Sequence, residues 1–238
     1  MRYMGSKARH AKEIIPILMG EHDQTKPYIE PFVGGGNMID KVPAKIRRGN
    51  DMAKFAVATL RAVSEGWIPP EKLTFQEYIE IKENPQNFAP ELVGFAAHCC
   101  TFGGKLWGGY ARNNRREGDN STVPGQQSRS LVLQGKKMRG VKFTSIDYRD
   151  MIIPSGSTVY CDPPYEGTTG YKIKFCHDTF WNWAEKVSNG GSRVFVSEYQ
   201  APENWKCVWE KGAASSLDMD RGSKSAIERL FTIPSVSA

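Results

Sequence analysis

Apolar residues along this chain follow two spacings: short β-branched or aromatic runs, and longer stretches with apolar positions three and four apart. A first helix is predicted from about Lys7 to Met19, with Ser6 placed to cap it and Ala11, Ile14, Ile15 and Leu18 on one face; Pro16 should bend it. Tyr28-Ile29-Glu30-Pro31-Phe32-Val33 reads as a short strand broken by Gly34-Gly35-Gly36, and Asn37 is placed to start a helix. A strand from Ile46 to Asn50 ends at Asp51, and Met52 to Ser64 is an Ala-rich helical run. From Pro69 to Gly94 come two amphipathic helical pieces parted by Asn84-Pro85, then a Gly- and Arg-rich stretch without a clean period from Phe102 to Gln127. A helix from about Ser128 to Met138 closes that region. Strand and helix signals then alternate again: Val141 to Ile146, Thr158 to Cys161, Arg193 to Ser197 and Glu228 to Ile233 are strand-like, and Asp178 to Val187 is helical.

Strands separated by helices predict an α/β fold: a doubly wound, mostly parallel sheet covered on both faces. The interval 56–140 interrupts that rhythm. It is expected to be an inserted, mainly helical lobe between two parts of one sheet domain, 1–55 and 141–238.

Composition narrows the setting. No stretch approaches the roughly 18 apolar residues of a membrane helix, and the charged, Gly-punctuated start does not resemble a signal peptide. The five cysteines are odd in number and form no Cys-x-x-Cys pair, which fits packed free thiols in a reducing, cytoplasmic compartment. Adjacent Cys99 and Cys100 beside His98, and Cys176 beside His177, are poor tetrahedral ligand sets, so no metal is expected.

Charge matters through its position. Between Thr101 and Gly140 lie eight basic residues and two acidic ones, 8 − 2 = +6, which equals the net charge of the whole chain. Everything outside that stretch therefore sums to zero. A solvated loop would explain such a run, but Phe102, Trp107 and Tyr110 interleave with it, and Asn113-Asn114 flank arginines. Arg and Asn read base edges bidentately, so nucleic acid is the favoured partner, with Lys105, Tyr110, Arg112, Asn113, Arg115 and Arg116 as contacts.

The chemistry concentrates in Asp162-Pro163-Pro164-Tyr165, directly after the strand Thr158-Val159-Tyr160-Cys161. In open α/β sheets ligands bind outside the carboxyl ends of strands, where this tetrapeptide projects. Its two prolines lack N–H donors, leaving carbonyl oxygens to accept from something else. A carboxylate, a carbonyl and an aromatic ring side by side suit a flat heterocycle bearing an amino group. A tight turn after a strand is the plainer reading. Three further groups sit at strand ends. The glycines after Phe32 allow a close backbone approach to a ligand. They lack Gly-Lys-Ser/Thr, and Ile39 breaks Gly-x-Gly-x-x-Gly, so a phosphate-bearing cofactor is disfavoured. Asp51 follows the next strand at a spacing suited to ribose hydroxyls, and equally to an N-cap for a helix from Met52. Asp147-Tyr148 could accept from an adenine amino group and pack on the base, or form an ordinary surface turn.

Four pieces in order, Tyr3-Met4-Gly5-Ser6-Lys7, Glu30-Pro31-Phe32-Val33-Gly34-Gly35-Gly36, Asp147-Tyr148 and Asp162-Pro163-Pro164-Tyr165, resemble the Dam-like, D12 class adenine-specific DNA methyltransferases of the alpha group. Phe102-Gly103-Gly104-Lys105 and Gly108 to Asn113 are similar to a form common in phage and prophage relatives, and host regulation, restriction-modification and protection of phage DNA stay open as roles. The resemblance implies a class I, Rossmann-like methyltransferase domain with a DNA target-recognition lobe at 56–140. It implies S-adenosylmethionine as methyl donor, S-adenosylhomocysteine as product and double-stranded DNA as partner; the oligomeric state is left open with a monomer favoured, and no metal is expected. Glu30, Pro31, Phe32, Gly34 and Gly36 would line the methionine end, Asp51 and Met52 the ribose, and Asp147 with Tyr148 the adenine. Tyr3 and Lys7 would fold over the pocket, and Asp162, Pro163, Pro164 and Tyr165 would carry catalysis, Asp162 also touching the cofactor.

The residues suit that chemistry. An adenine amine is a weak nucleophile because its lone pair is delocalised. Hydrogen bonds to the Asp162 carboxylate and the Pro163 carbonyl would favour a tetrahedral nitrogen aimed at the sulfonium methyl. No covalent intermediate is needed, which argues against cytosine carbon-5 chemistry; Cys161 is expected to point into the sheet. Cytosine-N4 transfer (such enzymes usually carry Ser for the Asp), RNA adenine, protein glutamine and a non-catalytic DNA-binding relative are the alternatives.

Overall fold

Five strands of a seven-stranded sheet run parallel, and their carboxyl ends share one edge. The strands are β1 (Tyr28–Glu30), β2 (Arg47–Asn50), β3 (Lys142–Thr144), β4 (Thr158–Cys161), β5 (Arg193–Glu198), β6 (Lys206–Ala213) and β7 (Ala226–Thr232). Their order is β3-β2-β1-β4-β5-β7-β6, with β7 antiparallel to both β5 and β6. The computed structural model describes residues 1–111, 122–165, 175–213 and 226–234. Chain order reverses between β1 and β4, so the crevice beyond their ends is the sheet's switch point, where α/β folds hold ligands.

Alternation along each strand builds two cores. Tyr28, Tyr160, Phe195 and Leu230 face one side, while Ile29, Val159, Cys161, Val194, Val196 and Phe231 face the other. On the first side lie α1 (Ala11–Met19), which buries Ala11, Ile14 and Leu18, and α2 (Lys54–Ser64), which buries Ala56, Val57, Leu60 and Val63. On the second lies α6 (His177–Asn189), anchored by Phe180 and Ala184.

The segment between α2 and β3, expected as a lobe, consists of α3 (Phe75–Glu83), α4 (Pro90–Gly94), a π-helical turn at Phe95–Cys99 and α5 (Val123–Lys137). Thr74 and Glu77 form a capping box that starts α3. Val93, Phe95 and Leu131 from the lobe join the same core as α1, α2 and the sheet. Two glycines make the approach to α2 possible. A Cβ on Gly94 would strike the Phe55 carbonyl and Thr59 Oγ1, and a Cβ on Gly135 would strike the Val63 carbonyl. Arg61 of α2 also donates to the Phe143 carbonyl of β3 at 2.7 Å, so α2 serves sheet and lobe at once.

Several boundaries differ from the sequence expectations. The first helix is divided: a 3-10 turn at Lys7–Arg9, capped by Ser6 Oγ, precedes α1 and lets Lys7 point inward. No helix follows Asn37. Its side chain donates instead to the Met1 carbonyl at 2.8 Å, and residues 37–41 close as separate turns. The helix expected from Ser128 starts at Val123, because Thr122 caps it and Pro124 occupies its first turn. Strand β6 was not expected; a bulge between Cys207 and Trp209 interrupts its alternation.

Gly94→Val is expected to cost about 1–3 kcal/mol through overpacking against α2. Gly212→Ala, whose Cβ meets nothing within 4 Å, is the control and should stay within about 0.5 kcal/mol. Urea denaturation of both variants measures the difference; equal stabilities would contradict the packing described.

Candidate active site

The switch-point crevice is walled by residues that follow β1 and β4. Glu30 ends β1 fully buried, and the Tyr28 hydroxyl donates to its Oε1 at 2.8 Å. Burial, with the nearby Asp40 and Asp162 carboxylates, drives its own carboxyl well above the ordinary range. Pro31 is buried after it, and Phe32 is half-buried with its ring 5.1 Å from Tyr148 and 5.6 Å from Phe180. Gly34 and Gly36 take φ of +48° and +66°, and a Cβ on Gly34 would lie 3.0 Å from the Tyr3 ring. Tyr3 in turn stacks on His98 at 4.9 Å, so the π-helical turn of the lobe lies beneath the N-terminal segment. Gln134 of α5 donates to the carbonyls of Gly35 and Gly36 at 3.1 and 3.0 Å, tying the glycine turn to the lobe.

Asp51 follows β2. Its two oxygens accept from the N–H groups of Gly34 and Ala53, both at 2.9 Å, so it spans the glycine turn and the start of α2. Burial pushes its carboxyl up, and each oxygen keeps lone pairs suited to a hydroxyl donor. Met52 beside it is exposed. Residue Ala53, not Asp51, holds the N-cap position of α2.

Asp147 and Tyr148 follow β3 and open a 3-10 turn. Tyr148 is buried among Phe32, Phe180 and Trp183. The Asp147 carboxylate is clasped by the Arg149 side chain at 2.9 and 2.6 Å, which holds it below the ordinary range. Buried Asn50 fixes this corner: it donates to the carbonyls of Pro31 and Ile146 and accepts from Thr144 Oγ1 and the Ile146 N–H. One amide thereby joins the ends of β1, β2 and β3.

The densest charge lies after β4. Asp162 is partly buried, with 22% of its side chain exposed, next to buried Pro163. Lys7 is 8% exposed; its Nζ stands 2.9 Å from Glu228 Oε2 on β7 and 3.6 Å from Asp162 Oδ1. The same Nζ lies 4.3 Å above the Tyr165 ring, and the Tyr165 hydroxyl donates to Glu228 Oε2 at 2.9 Å. Tyr199 meets Tyr165 in a T-shaped contact at 4.7 Å. Burial pushes the Asp162 carboxyl up to about 6, with Lys7 opposing the rise and Glu228 adding to it. For Lys7, burial works against the charge, but Asp162 and Glu228 outweigh it and hold the ammonium above its usual range.

Of the residues expected to meet nucleic acid, Lys105 is exposed after the 3-10 turn at Phe102–Gly104. Tyr110 has its hydroxyl on the Leu73 carbonyl at 2.6 Å and its ring 5.4 Å from Tyr78, a contact internal to the lobe. Arg112, Asn113, Arg115 and Arg116 lie outside the described residues. Lys136, Lys137 and Arg139 at the end of α5 are exposed. Glu228 was missed by sequence reasoning; its only signal is an acidic residue two positions before core-facing Leu230 on a strand. Among the described residues no group of three or more His, Cys, Asp or Glu is placed to hold a metal ion, and no helix is long and apolar enough to cross a membrane.

A mostly parallel sheet in this order, with a reversed last pair, has the Rossmann-like arrangement of the class I methyltransferase fold. Residues 3–92, the N-terminal part of the chain, match the D12 class N6 adenine-specific DNA methyltransferase family. The matched segment carries Tyr3, Lys7, the glycine turn and Asp51, and ends before Asp147 and Asp162. No curated protein matches the chain. Among solved structures it is similar to the tRNA (m1A58) methyltransferase TrmI from Aquifex aeolicus, at 11% identity and a TM-score of 0.40, covering 96% of this chain and 70% of that one. It is also similar to SMU.472, a protein assigned as a methyltransferase and complexed with SAH, at 12% identity and a TM-score of 0.39. That match covers 95% of this chain and 52% of the other. Both likenesses are distant, and the fold assignment rests on the strand order.

Asp162 holds its proton more tightly folded than unfolded, where its ordinary value is 3.8. Its contribution to stability is therefore greatest below pH 4 and declines as the pH rises through about 6. Asp162→Asn is expected to raise stability at pH 7 by up to roughly 2 kcal/mol and to leave it little changed at pH 4. Thermal unfolding at the two pH values checks this, and a destabilised variant at pH 7 would contradict it.

Proposed function

We propose that this enzyme methylates the exocyclic N6 of adenine in double-stranded DNA, acting on a base rotated out of the helix. The observation that carries the proposal is the placement of Asp162, partly open and with a raised carboxyl, at the end of β4 beside the crevice lined from β1. A buried adenine amine cannot reach such a group without extrusion, which costs a few kcal/mol. Stacking on Tyr165 would repay about 1–3 kcal/mol of that.

The crevice suits S-adenosylmethionine. Glu30, Asp51 and Asp162 gather three carboxyl groups whose burial disfavours their charge, and a ligand carrying an ammonium and a sulfonium relieves that cost. Glu30 through Gly36 would hold the methionine end, Asp51 and Met52 the ribose, and Asp147 with Tyr148 the adenine, Arg149 giving up its hold on Asp147. When bound, the cofactor supplies an electrophilic methyl carbon.

The chain's own residues then prepare the acceptor. The Asp162 carboxylate and the Pro163 carbonyl accept the two amine hydrogens, which draws the nitrogen lone pair out of the ring. The N–H-less prolines add no competing donor at that point. Asp162 is also basic enough to take the proton the nitrogen sheds after methylation. Positioning of this kind supplies roughly 7–11 kcal/mol in the best intramolecular cases. The lobe would seat the duplex, and its basic stretch, with exposed Lys105, Lys136, Lys137 and Arg139, supports a polyanionic partner. Arg112, Asn113, Arg115 and Arg116 would extend that contact.

Unmethylated duplex incubated with the enzyme and labelled cofactor, then digested to nucleosides, should yield N6-methyldeoxyadenosine by mass spectrometry. N4-methyldeoxycytidine as the product would overturn the proposal. Asp162→Ala should slow transfer by about 10³-fold or more while cofactor binding by calorimetry survives in part. Near-normal turnover in that variant would refute its role. The wild-type kcat/KM should fall below about pH 6, where the Asp162 carboxyl takes a proton and can no longer accept. A flat profile from pH 5 to 8 would contradict the role given to its ionised form.

A further inference from the structure

We propose that Glu228 is a positioning residue for methyl transfer: it draws the Lys7 ammonium away from Asp162 and fixes the Tyr165 ring by its hydroxyl, keeping the Asp162 carboxylate ready for the target amine. The inference rests on Asp162 being the acceptor of that amine. It adds a residue from β7, remote in sequence from every motif, to the machinery of β4.

The geometry is unequal in a telling way. Lys7 Nζ and the Tyr165 hydroxyl both reach the same oxygen, Glu228 Oε2, at 2.9 Å each. Asp162, although its Oδ1 is the other carboxylate oxygen near that ammonium, stands at 3.6 Å, beyond a good hydrogen bond. The strongest charge-assisted contact of Lys7 is thus given to a carboxylate that carries out no chemistry. Asp162 shares Lys7 and the Tyr165 hydroxyl only at longer range, where both oppose the rise of its carboxyl.

Packing enforces this division. Glu228 lies on β7 two residues from Leu230, on the sheet face shared with Tyr160 and α1, and is itself buried. Lys7 reaches it because the chain turns as a 3-10 helix before α1 begins. Other titratable groups around the pair are His10 before α1, Glu30 on β1, Tyr160 on β4, and Tyr199 after β5. Lys7 is the cation whose ammonium contacts both carboxylates. Burial and the neighbouring carboxylates keep the Tyr165 hydroxyl protonated, so it donates to Glu228.

Glu228→Gln separates the roles, since its amide carbonyl still accepts from Tyr165 but no longer holds Lys7 by charge. Loss of a nearby negative charge and the approach of Lys7 both favour the ionised form of Asp162. Its titration midpoint, read by 13C NMR of labelled aspartate and assigned by comparison with Asp162→Asn, should fall by at least about half a pH unit. The acid limb of kcat/KM should move down with it, kcat near neutral pH should drop several-fold, and KM for S-adenosylmethionine should stay nearly constant. Glu228→Asp, with the charge kept but drawn back, should give a smaller shift in the same direction, and it carries the test if Glu228→Gln does not fold. An unchanged Asp162 midpoint in a folded variant, or a kcat loss with no movement of the limb, overturns the proposal. The NMR readout needs no DNA, so inactivity of the wild-type enzyme on duplex would sink the substrate assignment while the midpoint still decides this one.

Discussion

One buried ammonium with two carboxylates to satisfy is the constraint on which the site depends. Removing Lys7 from water is costly, and the cost is met only by close, oriented acceptors. Those acceptors are 66 residues apart in the chain, Asp162 after β4 and Glu228 on β7, while Lys7 comes from the N-terminal segment. A single charge therefore holds three distant segments in register. Because its share is uneven, one carboxylate is neutralised and the other is left basic. Desolvation supplies the tension, and the sheet's switch point supplies the place where it can be used.

The framework was largely legible in the sequence. Strands β1, β2, β4, β5 and β7 lie where β-branched runs and breakers put them, and Asp162-Pro163-Pro164-Tyr165 follows β4 directly. Local chemistry hid the rest. Asn37 looked like a helix start, but the Met1 carbonyl claims its amide, a contact no local pattern carries. Thr122-Val123-Pro124 is a capping signal, yet the Gly-rich run before it disguised the beginning of α5. Glu228 was invisible as a functional residue because its meaning is entirely tertiary. An inward-facing acid on a strand makes sense only once the lysine that meets it is known.

Asn50 shows the same principle in a neutral group. Its amide uses both donor and acceptor faces to join three strand ends, so the positions of Pro31 and Ile146 are set together. The residues after those ends, the glycine turn and Asp147, are thereby kept in fixed relation. Rigid strand ends carrying polar loops give such a crevice its precision: backbone bonding sets the frame, and short side chains aim from it.

The two glycines that seat the lobe on α2 carry a consequence for how this protein diversifies. Gly94 and Gly135 lie at well-separated points of the chain, yet both press backbone against backbone on one helix. Recombination that swapped the intervening segment for a foreign one would succeed only where the newcomer brought matching gaps at both seats. Changes on the outward-facing surface of this segment are therefore more readily accommodated than its wholesale exchange.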